Sequence, residues 1–78
     1  MDAKTAVETV IKPKLIEIFG DRITNFAIIK ANGILAQGKT EQEKLKLAVN
    51  SICSDPKVKG MWGAAQTEKQ KQEWEKLL

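Results

Sequence analysis

The chain has no histidine, no tyrosine and one cysteine, Cys53, among its 78 residues. One cysteine excludes a disulfide within the chain. A structural zinc site needs about four Cys or His ligands, so neither a metal nor another cofactor is expected. Thiol or imidazole catalysis needs a Cys–His pair, and the composition excludes that too. The longest apolar run, Phe26–Ile29, is four residues, against roughly 20 for a membrane span. The opening Met1-Asp2-Ala3-Lys4 lacks the charged-then-apolar form of a signal peptide. No membrane association is therefore expected, and a lone reduced thiol fits a cytoplasmic location.

What is present is ordinary for a folded chain. Apolar residues make up 42% and charged residues 29%, too apolar a balance for disorder. The length suits one small domain, residues 1–78. Net charge is +3, with only Arg22 beside twelve lysines. Arginine is the better residue for reading guanine and gripping phosphate, so the thin basic surplus does not by itself indicate nucleic-acid binding. A core this small has no metal or disulfide to staple it. It must pack its helices well or borrow surface from a second copy or a partner.

Helical spacing runs through most of the chain. Ala3, Ala6, Val7, Val10, Ile11, Leu15, Ile18 and Phe19 define a first helix, with Thr5-x-x-Glu8 as a capping box near its start. Pro13 predicts a kink there, because proline removes a backbone donor and disfavours helix at Lys12. Gly20 is a natural stop. From Asp21 to Gly38 two readings compete. As a helix, Ile23, Phe26, Ala27, Ala31, Ile34 and Leu35 form a stripe. As strands, Asn32-Gly33 is a strong hairpin signal joining Phe26–Ala31 to Ile34–Gln37. The adjacent Ile28 and Ile29 break strict alternation, and a lone hairpin finds no further sheet, so the helix is favoured. Thr40-x-x-Glu43 caps a third helix carrying Leu45, Ala48, Val49 and Ile52 and ending near Ser54-Asp55-Pro56. A short helical turn over Lys57–Trp62 follows. Thr67-x-x-Gln70 opens a last helix whose apolar face is Trp74, Leu77 and Leu78.

Four patterns bear on function. Gly33-Ile-Leu-Ala-Gln-Gly38-Lys39-Thr40 fits G-x-x-x-x-G-K-[ST], the phosphate-binding loop. Its middle residues are bulky, and the fold that uses it needs a parallel sheet this chain cannot build. Gly38, Lys39 and Thr40 read more simply as a helix stop, a link and an N-cap. Residues 14–30 resemble, in outline, the helix-turn-helix of small phage-type repressors. A short helix ends in Phe19-Gly20, and a second one would bury Phe26 and Ile29. The resemblance implies DNA contacts from Arg22, Thr24, Asn25 and Lys30. It departs from the motif at Asp21, where the turn usually wants an apolar residue, and at Ile16, where a small one is usual. The pairs Glu41/Glu43 and Glu73/Glu75 lie two apart, so their carboxylates diverge on a helix and do not converge for acid–base work. Met61 and Trp62 with Trp74, Leu77 and Leu78 form an apolar edge on otherwise polar helices, the residue types that favour interfaces. The same rings also suit a small core.

The expected fold is all-α, a bundle of about three or four short helices with the first kinked at Pro13. The alternative is α+β, with a Phe26–Gln37 hairpin on the helices. The expected core is Val7, Val10, Ile11, Leu15, Ile18, Phe19, Ile23, Phe26, Leu45, Val49, Ile52 and Trp62. The expected function is non-enzymatic: an interaction or regulatory module that buries Met61, Trp62, Trp74, Leu77 and Leu78 against a protein partner or a second copy. DNA binding through Arg22, Thr24, Asn25 and Lys30 is the alternative, and phosphate binding at Gly38, Lys39 and Thr40 a remote one.

Overall fold

The computed structural model describes residues 2–78, and of the expected unit 1–78 only residue 1 lies outside them. The described residues contain no strand. The chain runs through α1 (Ala3–Ala6), a π-helical turn (Val7–Ile11), α2 (Lys12–Leu35), α3 (Glu41–Cys53), α4 (Pro56–Trp62) and α5 (Ala64–Glu75). The all-α expectation holds. The hairpin over Phe26–Gln37 is overturned: Asn32 and Gly33 lie inside α2, and Ala27, Ile28 and Ala31 bury one helical face. There a buried helical stripe outweighed the local turn preference.

Pro13 distorts the helix before itself. Asp2 starts the chain by accepting the Thr5 amide at 2.7 Å, a stronger cap than the Thr5-x-x-Glu8 box. At the π turn the Lys12 amide reaches back five residues to the Val7 carbonyl. In a regular helix the Pro13 ring would press on the Thr9 carbonyl, and the wider turn relieves that crowding. The sharp break comes later, at Gly20, where φ is 80° and ψ 174°. Only glycine adopts that region cheaply. It divides α2 into two arms, 12–19 and 21–35.

α3 is the central element and touches α1, both α2 and α4, and α5. Thr40 caps it by accepting the Glu43 amide at 3.2 Å. Its Leu45, Ala48, Val49, Ile52 and Cys53 are buried at helical spacing. The Glu41 carboxylate accepts the Ala3 amide at 3.0 Å, tying the start of the chain to the start of this helix. Asp55 caps α4, accepting from the amides of Lys57 and Val58. Gly63, with φ 83° and ψ 163°, separates α4 from α5. The last helix thus opens at Ala64, ahead of the expected Thr67 start. The Thr67 hydroxyl instead donates to the Gly63 carbonyl at 2.6 Å inside the first turn.

Most of the expected core is buried or half-buried, but two residues are not. Ile18 is 40% exposed and Phe26 55% exposed. The 21–35 arm is rotated from the expected stripe, so that Thr24, Ala27, Ile28 and Ala31 face inward. α2 packs against α3, whose Ala48 is fully buried. On this arm, packing of the Thr24–Ala31 face outweighed burial of its one aromatic ring.

Candidate functional site

The expected apolar edge is split by the fold. Trp74 is 2% exposed and is part of the core. Its ring lies 5.8 Å from that of Trp62, which lies 5.0 Å from Phe19, both pairs tilted. These separations suit attractive aromatic packing, so the rings join α2, α4 and α5. Trp62 and Leu77 pack partly buried against the core, Leu78 is at the margin, and Met61 stands 60% exposed on α4.

The other expected residues also separate. Arg22, Asn25 and Lys30 are exposed on the 21–35 arm, whereas Thr24 has no exposed surface and its hydroxyl finds no partner. Phe26 and Ile29, expected on the buried side of a helix-turn-helix, face outward. Ala27 and Ile28 occupy the core instead. At the phosphate-loop match, Gly33 lies within α2 and the Thr40 hydroxyl is engaged as an N-cap, so residues 33–40 form a helix end and a tight turn.

A different surface emerges around Phe26. Ile29 is 67% exposed beside it. Two shallow depressions meet at the Phe26 ring. One, between the 21–35 arm and α4, is lined by Ile23, Phe26, Lys30, Asp55, Pro56 and Lys57. The other is lined by Arg22, Asn25, Phe26 and Ile29. The Lys57 ammonium sits 5.6 Å from the centre of the Phe26 ring, in range for cation–π attraction. Asp55, 7% exposed, stands 4.0 Å from the Lys30 ammonium. Asp55 thus caps the first turn of α4 and faces Lys30 on the arm. The lining residues hold three cations, Arg22, Lys30 and Lys57, and one acid already engaged. Met61 is one turn beyond Lys57 on the same side of α4.

Side-chain bulk is a poor guide to burial on this arm, where the largest side chain, Phe26, is exposed. Helical register after Gly20 separates Thr24, Ala27, Ile28 and Ala31 from Phe26 and Ile29 but does not say which side is buried.

The remaining chemistry-bearing group is Cys53. It is 5% exposed, and burial pushes its thiol up to about 11 from the ordinary 9.0, with nearby Lys71 acting weakly against that and Glu68 and Glu75 with it. Such a thiol is a poor nucleophile at neutral pH. Among the described residues no group of three or more His, Cys, Asp or Glu is placed to hold a metal, and no helix is long and apolar enough to cross a membrane. No protein-family model, curated protein or solved structure matches the chain.

Proposed function

We propose that this chain is a non-enzymatic helical interaction module, resident in the cytoplasm, that docks a protein partner through the Phe26–Ile29 face. The observation that carries this reading is the pair itself. Two large apolar side chains, 55% and 67% exposed, stand adjacent on one rigid helix and are ringed by cations. An apolar centre with a polar rim is the anatomy of a protein interface, and aromatic anchors in such centres carry much of the binding energy. The α2–α4 junction presents it on packed helices, which limits the ordering cost of association. Met61 stands exposed on α4, one turn beyond Lys57. Trp74 belongs to the core, Trp62 and Leu77 pack partly buried against that core, and Leu78 lines a separate depression between α3 and α5.

DNA binding is the second reading. It draws on the exposed Arg22, Asn25 and Lys30, without Thr24. Affinity for nucleic acid is dominated by phosphate contacts, and here the centre of the surface is apolar. The test is capture from native lysate with tagged wild-type protein and a Phe26→Ala/Ile29→Ala variant, with and without nuclease, at two salt concentrations. The expected result is a nuclease-resistant protein retained by wild type and lost by the variant. Recovery of nucleic acid equally by both proteins, lost steeply with salt, would move the function to the cations.

A further inference from the structure

Resting on the docking reading above, we propose that the Phe26–Ile29 face receives an acidic amphipathic segment of another protein. Its apolar side chains would cover Phe26 and Ile29, and its carboxylates would meet Arg22, Lys30 and Lys57. The depression between the 21–35 arm and α4 supplies the seat, lined by the apolar Ile23, Phe26 and Pro56 and by Lys30 from the arm and Lys57 from α4. The second depression continues it past Phe26 to Arg22 and Asn25. A segment lying along both meets Lys30 and Lys57 in one and Arg22 in the other.

Charge decides the occupant. The only acid lining either depression is Asp55, which is buried and already bonded to the α4 amides and to Lys30. Lys30 faces Asp55, so Arg22 and Lys57 are the two exposed cations with no carboxylate partner among the lining residues. A second copy of the chain joined by a two-fold axis would set this face on itself, bringing cations against cations. Like-charge juxtaposition penalises that pairing. A basic or neutral segment would cover the apolar pair but leave the rim uncompensated. An acidic amphipathic segment satisfies both the centre and the rim, in the manner of helix-in-groove recognition.

The experiment is selection of random 16-residue peptides displayed on phage against the folded wild-type chain, with counter-selection on the Phe26→Ala/Ile29→Ala variant. Enriched peptides are expected to carry net negative charge and apolar residues at three- and four-residue spacing. Synthesised, they should bind at least tenfold more weakly to an Arg22→Glu/Lys57→Glu variant, whose exposed positions leave the fold intact by circular dichroism. Exchanging the peptides' acids for lysines should reverse that preference. Neutral or basic enriched peptides that still need Phe26 would overturn the acidic-segment assignment while leaving the docking face standing. No enrichment over the counter-selected variant would overturn both. Stronger binding of wild type to anionic phosphatidylserine vesicles, to duplex DNA or to itself than to any selected peptide would likewise replace this proposal.

Discussion

Two helices of this protein start the same way and end with opposite faces. The 21–35 arm follows Gly20 and α5 follows Gly63, both glycines near φ 80° with extended ψ. Each helix buries the positions four, seven and eleven after its glycine: Thr24, Ala27 and Ala31 in one, Thr67, Gln70 and Trp74 in the other. In the same register the positions six and nine after glycine point outward. On α5 they are Lys69 and Gln72, and on the 21–35 arm they are Phe26 and Ile29. Geometry does not require apolar residues there, since α5 fills the equivalent sites with polar ones. The Trp62–Trp74 pair is cement, and the Phe26–Ile29 pair is surface. The largest aromatic of each helix therefore has a different job.

The largest expected effect breaks the cement. Trp74→Ala should cost about 3–5 kcal/mol, a large share of the stability of so small a chain. Urea denaturation followed by circular dichroism reads it, and loss of less than about 1 kcal/mol would remove Trp74 from the core. Gly20→Ala and Gly63→Ala test the shared launch. A Cβ meets nothing within 4 Å at either position, so the penalty is purely conformational, about 1–3 kcal/mol each. Equal penalties would confirm that the two helices are started alike.

The threonines sharpen the comparison at a smaller scale. The Thr67 hydroxyl donates to the Gly63 carbonyl, whereas that of Thr24 is buried without a partner. Thr24→Val keeps the shape and removes the unpaired group, and should stabilise by about 1 kcal/mol. Thr67→Val removes a made bond and should destabilise by about as much. Both are measurable in the same denaturation series, and the opposite signs are the prediction.

Cys53 gives a pH signature on the α5 side. The folded chain holds the thiol neutral up to about 11, while the unfolded chain ionises near 9.0. The stability this provides is fully present below pH 9 and is lost as pH rises through 11. Comparing wild type with Cys53→Ala over pH 8–11 isolates it. A stability difference that does not narrow across that range would contradict the burial of the thiol.

The sequence made the helices legible and the rotation of one of them illegible. Leu45, Ala48, Val49 and Ile52 could be read directly, because one dominant stripe on α3 leaves a single way to bury it. Thr40 likewise declared its cap. The 21–35 arm carries apolar residues on two sides, Phe26 and Ile29 against Ala27, Ile28 and Ala31. Choosing between them depends on how the arm packs on the other helices, which spacing alone does not encode. Pro13 announced a distortion, but the π turn that absorbs it lies upstream, where the crowded carbonyl is. Trp74 looked like an exposed edge because its own helix is polar; the rings that bury it, Trp62 and through it Phe19, come from distant segments.

The most direct test of the two-surface account is Phe26→Ala measured beside Trp74→Ala, for stability by urea denaturation and for partner capture. The account predicts that Phe26→Ala changes stability by no more than about 1 kcal/mol and abolishes capture. Trp74→Ala should lose several times that stability. A Phe26→Ala variant that unfolds as readily as Trp74→Ala, or that keeps its partner, would contradict it.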